Sequence, residues 1–320
     1  MEPAILYYIT PLLTICANVL GIGIGQGRIA SAAIEAINIA PHAKSSILRA
    51  TIFALALTET TAVIAFLIAV TMIMSQQPLL ITQATALGQF GIFCAMGIPG
   101  LVIGIACALP CRAACFAIAR QPFFSQKISN LMLITTTLIQ TPAIFGFIFA
   151  FLIFSQALTI HSYAESIRLL AAGACIGIGS IGPAIGSALF AQQACAAPGI
   201  NRKAYSRIVS FTFLSQGMIE TPVIFSAIIS FILIANIQTA PLTELITSVA
   251  LASAALCTGI STLMPGISSG KVAAEACKQI TQRPENYSTL SRLSMLAQGF
   301  LDTFVMYAFL VSLLLIFFQS

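Results

Sequence analysis

LTETTAVIAF, residues 57–66, sets a single carboxylate, Glu59, inside a run that is otherwise apolar enough to cross a membrane. An ionised group at mid-membrane costs roughly 3 kcal/mol on insertion scales and more by other measures. A chain with nine acidic residues in 320 needs a reason to place one there. The same word returns three times: LIQTPAIFGF at 138–147 around Gln140, GMIETPVIFS at 217–226 around Glu220, and GFLDTFVMYA at 299–308 around Asp302. The steps between the four positions are 81, 80 and 82 residues. A fixed period of this length marks tandem structural units, and it decides the fold before any single residue does.

Upstream of each word lies a glycine-bearing stretch: GIGIGQGRIAS from Gly21, GLVIGIACALP from Gly100, GPAIGSALFAQ from Gly182 and MPGISSGKVAA from Met264. Between stretch and word, three copies carry a proline in a short basic loop (Pro41, Pro122, Pro284), and the third has Asn201-Arg202 there. Each unit therefore reads as helix, basic loop, helix. The prediction is an all-α membrane protein of eight transmembrane helices, arranged as four tandem parallel hairpins over residues 1–80, 81–160, 161–241 and 242–320. Two spans per unit make the copies parallel, unlike the inverted repeats of many secondary transporters.

Composition agrees. Hydrophobic residues make up 58% of the chain and charged residues 7%, with a mean hydropathy of +1.00. Those values exclude a soluble globular domain. The first segment has neither a basic leader nor a small-residue cleavage site, so it reads as a retained helix. The net charge of +5 is a topology signal, with no nucleic acid implied. Lys44, Arg49, Arg120, Lys127, Arg202, Lys203, Arg207, Lys278, Arg283 and Arg292 cluster at four loops, whereas the loops near Gln76–Gln77, Ser155–Glu165 and Gln238–Glu244 hold only Arg168. By the positive-inside rule the basic loops are cytoplasmic and both termini lie opposite.

The two helices of a unit differ in bulk. All nine cysteines and nearly all glycines fall on the odd helices, and only four of 22 phenylalanines do (Phe90, Phe93, Phe116, Phe190). Small residues let helices approach closely in lipid. Tight bundle packing would explain this, and so would two layers, with odd helices inside and even helices facing lipid. The cysteines match no zinc spacing and read as small packing residues. His42 and His161 fall in loops and pair with nothing.

Each acid lies about thirteen residues from its basic loop, roughly 20 Å deep at 1.5 Å per residue. An ionisable residue at that depth is a functional hypothesis by default; the alternative is a neutral, hydrogen-bonded acid serving as packing glue. Recurrence in three of four copies favours function. Thr60, Thr141, Thr221 and Thr303 follow the acid positions, and Gln26, Cys107, Ser187 and Ser269 align on the partner helices. Carboxylate, hydroxyl and amide oxygens can cage a hard cation or a protonated acid. Pro142 and Pro222 cannot donate to the carbonyls of Leu138 and Met218, which leaves either a kink or a free ligand; Leu57 and Phe300 hold the equivalent positions. Gln216 and Gln298 share a helical face with their acids. The second copy, with Gln140, Cys107 and Thr141, is a degenerate site and reads as a spacer. Arg28, Arg112 and Lys271 are placed to snorkel to the cytoplasmic surface.

GIGIGQGRIASAAIEAINIAP followed by LTETT resembles the c subunit (proteolipid) of rotary ATPases, with Gln282-Arg283-Pro284-Glu285 echoing that family's polar loop. The resemblance covers nearly the whole chain as four copies. It implies a homo-oligomeric two-layer rotor ring in membrane lipid, a stator a-type subunit supplying an arginine, and central-stalk subunits at the cytoplasmic loops. It implies no cofactor, only transported H⁺ or Na⁺ bound at Glu59, Glu220 and Asp302, and no catalysis by the chain itself. In sodium-type members the ligands resemble Gln26, the Leu57 carbonyl, Glu59 and Thr60. The motif is F-type in character and the multiplied, partly acid-free hairpins V-type, which leaves synthesis or pumping open. The competing reading is a self-contained channel or transporter with acids lining an internal path. An enzyme has little support: GIGIGQG lacks the βαβ context of a nucleotide loop, and helix packing explains it better.

Overall fold

The structure, a computed structural model, describes residues 3–75, 81–158, 160, 162–235 and 244–319. Gln76, Gln77, His161 and residues 238–243 lie outside them, and the limits of the four expected units fall on or beside such residues. The described residues hold no strand. Eight helices are long and apolar enough to cross a membrane: α1 (Pro3–Ile39), α2 (Pro41–Met74), α3 (Gln83–Arg120), α4 (Pro122–Ala157), α5 (Tyr163–Ile200), α6 (Arg202–Ala235), α7 (Ser248–Gln282) and α8 (Pro284–Phe318). At 34 to 38 residues each, they are roughly 50 Å or more long, so they overshoot a hydrocarbon core of about 30 Å at their ends.

Sequence chemistry sets the hairpin turns. Each basic loop closes on one 3₁₀ turn, led by Pro41, Pro122, Arg202 or Pro284. Proline costs nothing at a helix start, where its missing N–H has no partner to serve. In the third loop Arg202 takes the proline's place and Asn201 caps the turn: its Oδ1 accepts from the Lys203 N–H at 3.0 Å, and its amide donates to Thr281 O of the fourth copy at 2.9 Å.

The odd helices pack in one row, α1 on α3, α3 on α5 and α5 on α7. The even helices form a second layer over them, with α2, α4 and α6 each resting on the odd helix of its own copy and of the next. Glycines set the spacing of the inner row. A Cβ added at Gly25 would stand 2.1 Å from Gly104 O, one at Gly177 2.0 Å from Cys94 O, and one at Gly186 2.1 Å from Gly266 O. No other residue fits such backbone contact. Lipid offers no hydrophobic drive between helices, so this close packing is what holds the row together. Bonds between copies repeat the period: Asn18 Nδ2 donates to Met96 O (3.3 Å), Gln156 Nε2 to Ile234 O (3.3 Å) and Thr262 Oγ1 to Gly179 O (3.2 Å).

The row has two open ends. The most apolar window is 72% buried in α5 and 17% buried in α8. Among the described residues, α1 and α2 are not packed against α7 and α8. Two details depart from expectation. Arg168 lies within α5, 5% exposed, and is not a loop charge. Cys16 and Cys257 are exposed to the surround, while the other seven cysteines are buried and all nine are free thiols.

Candidate functional site

Each acid position sits on an even helix, and Gln140, Glu220 and Asp302 lie at the boundary with the preceding copy. The boundary between copies one and two is the most fully bonded. Gln140 is 8% exposed; its Nε2 donates to the Leu57 carbonyl at 2.7 Å and approaches Cys107 Sγ at 3.9 Å. The Thr60 hydroxyl lies within reach of Leu57 O at 2.7 Å and of Gln140 Oε1. This boundary thus joins Leu57 and Thr60 of copy one to Gln140 and Cys107 of copy two. The helix breaks here, into Ser125–Ile139 and Thr141–Ala157 around Gln140, as a proline at 142 allows. At Pro222 the helix Tyr205–Ala235 runs on without a break.

At the second boundary Glu220 is half-buried, with the Thr141 side chain of copy two beside it. Ser187, 1% exposed on α5, lies at the same level, since a Cβ at neighbouring Gly186 would meet Ile219 Cγ2 at 3.2 Å. Ser187 Oγ and Glu220 Oε1 are both buried without a partner. The third boundary repeats this. Ser269 is fully buried, Asp302 is 9% exposed, and Ser269 Oγ and Asp302 Oδ1 lack partners. A Cβ at Gly299 would meet Met218 Cε at 3.9 Å, which brings the fourth word against the third copy. Thr221 bonds Gly217 O at 3.2 Å and Thr303 bonds Phe300 O at 2.6 Å. Buried polar atoms without partners are rare and costly, and a small guest at each boundary would satisfy these.

Glu59 differs. It is exposed on α2, and Gln26 Nε2 donates to its Oε1 at 3.1 Å and to Leu55 O at 3.2 Å. The four residues expected as one set therefore divide: Gln26 stays with Glu59, while Leu57 and Thr60 face Gln140. Sequence reasoning missed this crossing because a period says which residues correspond, not which copy they face. Gln216 and Gln298 are fully buried; Gln298 Nε2 reaches Ser294 Oγ at 3.0 Å, and both amide groups of Gln216 lack partners. Arg28, Arg112 and Lys271 are exposed. Among the described residues no mid-membrane acid has an ion pair, and no group of three or more His, Cys, Asp or Glu could hold a metal.

The family model for the c subunit of ATP synthase matches the chain four times, at residues 10–72, 90–153, 170–233 and 252–315. The chain belongs to the ATP synthase c-subunit family. Among its relatives, the ATP synthase c subunit of Dehalococcoides mccartyi is 39% identical over 71 residues, 22% of this chain and 93% of that protein. That of Chloroflexus aurantiacus is 30% identical over 69 residues, 22% of this chain and 91% of that protein. One relative therefore corresponds to one hairpin, and this member of the c-subunit family is a multi-pass membrane protein holding four of them. Each matched stretch contains one acid position, Gln140 included.

Proposed function

We propose that this chain is the ion-carrying, non-catalytic rotor subunit of a rotary ATP synthase or ATPase. Several copies close into a two-layer ring, with odd helices inside and even helices toward lipid. The four units span residues 1–80, 81–160, 161–241 and 242–320. The basic loops face the cytoplasm, where central-stalk subunits would seat, and both termini lie opposite. Glu59, Glu220 and Asp302 each take up one H⁺ or Na⁺ through one half-channel. Passage by a stator arginine discharges them into the other.

The bonding of Gln140 carries this reading. Its Nε2 donates to Leu57 O at 2.7 Å, the bond that a protonated carboxyl at position 140 would make and the place a bound cation would fill. An amide there imitates the loaded state permanently, since it can neither release nor acquire charge. At Glu220 and Asp302 the same boundary holds an acid beside unpartnered oxygens, which supports a site that loads and empties. Lipid dictates the order of events. A bare carboxylate facing hydrocarbon is costly, so rotation proceeds only with the site occupied and stops opposite the arginine only to exchange. With one silent copy in four, a chain delivers three ions per four steps. Fewer ions per turn let ATP hydrolysis work against a steeper gradient.

A channel inside one bundle would gather the acids around a shared interior. The exposed edge position of Glu59, with Glu220 and Asp302 at separate boundaries, disfavours it. Residue-resolved labelling of the assembled protein with a hydrophobic carbodiimide tests the proposal. Glu59, Glu220 and Asp302 should react and the Gln140 segment should not. Protection by Na⁺ at neutral pH identifies a sodium carrier; protection by raised pH alone identifies a proton carrier. A monomeric extract in which no acid reacts contradicts the reading.

A further inference from the structure

Far from the acids, a second group of buried polar atoms is left unsatisfied. Gln89 on α3 is 1% exposed and Tyr7 on α1 is 4% exposed, and the two side chains stand next to each other. Even so, the Tyr7 hydroxyl and both polar atoms of the Gln89 amide have no hydrogen-bond partner among the described residues. Their buried neighbours do have partners. Thr10 Oγ1 donates to Leu6 O at 2.8 Å, Thr14 Oγ1 to Thr10 O at 2.9 Å and Thr85 Oγ1 to Thr82 O at 2.9 Å. Tyr7 and Gln89 line a cleft of about 280 Å³ where α1, α2 and α3 meet, with Pro11, Leu12, Met72 and Ile73 as its apolar walls. Met72 lies 13 residues beyond Glu59, about 20 Å at 1.5 Å per residue, which puts the cleft near the membrane surface away from the basic loops. Tyrosines at that level belong to the interfacial belt, where an amphipathic ring keeps its polar end wet, yet the Tyr7 hydroxyl is buried against Gln89.

We propose that this cleft binds a single-chain lipid whose uncharged head both donates and accepts hydrogen bonds, the chemistry shared by a protonated fatty acid and a monoacylglycerol. The Gln89 amide offers N–H donors and a carbonyl acceptor, so one carboxylic acid or glycerol hydroxyl group meets both, and Tyr7 adds a third contact. Among the described residues no Lys, Arg, His, Asp or Glu lines the cleft, so nothing there balances a phosphate or a carboxylate. Water alone would suit the amide, and the four apolar walls are what call for a chain. The volume is at the small end of ligand pockets, which run to about 300–1,000 Å³, and takes a head with the start of one chain. Leu12 and Ile73, both exposed, open the cleft to the surround. The site is independent of ion carriage: Gln26 lies 19 residues along α1 from Tyr7, about 28 Å away. Its occupant joins copy one to copy two.

The test is photolabelling of the full chain, extracted in mild detergent, with three diazirine-bearing probes: palmitic acid, monopalmitoylglycerol and a phosphatidylcholine. The single-chain probes should label residues 7–12 and 72–73 above every other segment, and the phospholipid should not. Raised pH separates the two sources, because ionisation abolishes labelling by the acid and spares the glycerol ester. Gln89→Leu keeps the volume and removes the partner of the head, so labelling of those residues should fall roughly tenfold. Thr14→Val should leave it unchanged, since that hydroxyl is satisfied within α1. Gln89→Leu replaces an unpartnered buried amide and should fold; if it does not, Tyr7→Phe takes its place, with an expected fall of about threefold. Labelling spread evenly over the exposed helix faces overturns the proposal, as does labelling that both variants leave unchanged or that the phospholipid matches.

Discussion

Gln140 shows what one atom decides. Replacing a carboxyl oxygen by NH₂ keeps the shape and the bond to Leu57 O, and removes titration. Gln140→Glu should therefore create a fourth carbodiimide-reactive acid per chain, detected as a new labelled peptide. An unreactive Glu at 140 would mean that Cys107 or the break at Pro142 has closed the site to ions. Gln140→Leu should instead lower thermal stability of the extracted protein by about 1–3 kcal/mol, because the Leu57 carbonyl and Thr60 lose their partner. The acids, their threonines and the degenerate copy were all legible from the repeated word. What the word could not show was facing. Thr60 follows Glu59 in the chain and bonds across to Gln140, because adjacent residues on a helix point about 100° apart.

Among the elements, the inner helices owe their spacing to backbone contact at a few glycines. Gly186→Leu would drive a side chain into Gly266 O, 2.1 Å from its Cβ, so α5 and α7 must part. The expected result is a loss of more than about 3 kcal/mol, beyond ordinary overpacking, seen as a large fall in melting temperature in detergent. Gly217→Ala is the contrast. Nothing lies within 4 Å of that position, so stability should hold or rise by up to about 1 kcal/mol. Sequence bulk divided the helices into two sets, glycine and cysteine crowding one and phenylalanine the other, which fitted two layers and also tight bundle packing. It did not distinguish Gly25, which needs to be glycine against Gly104 O, from Gly23 two residues away, which has open space. That difference depends on which side of α1 the next copy covers. Arg168 departs from its expected loop because the Ser162–Glu165 capping box starts α5 at Tyr163, which takes the arginine into a packed helix.

At the scale of the whole molecule, the row of hairpins is unfinished. Its middle is well covered and its last helix is 17% buried over its most apolar window, which in a membrane leaves α8 against lipid or against another chain. The proposed sidedness rests on the charge bias alone: a membrane-impermeant lysine reagent applied from the cytoplasmic side should modify Lys127 and Lys203, and modification only from the other side would reverse the topology. The central claim, that the chain works as part of a closed rotor, is tested most directly by the mass and symmetry of the particle extracted in mild detergent. The account predicts an integer multiple of 33.7 kDa, greater than one, with a rotational symmetry equal to that integer. A stable particle of a single chain would contradict it.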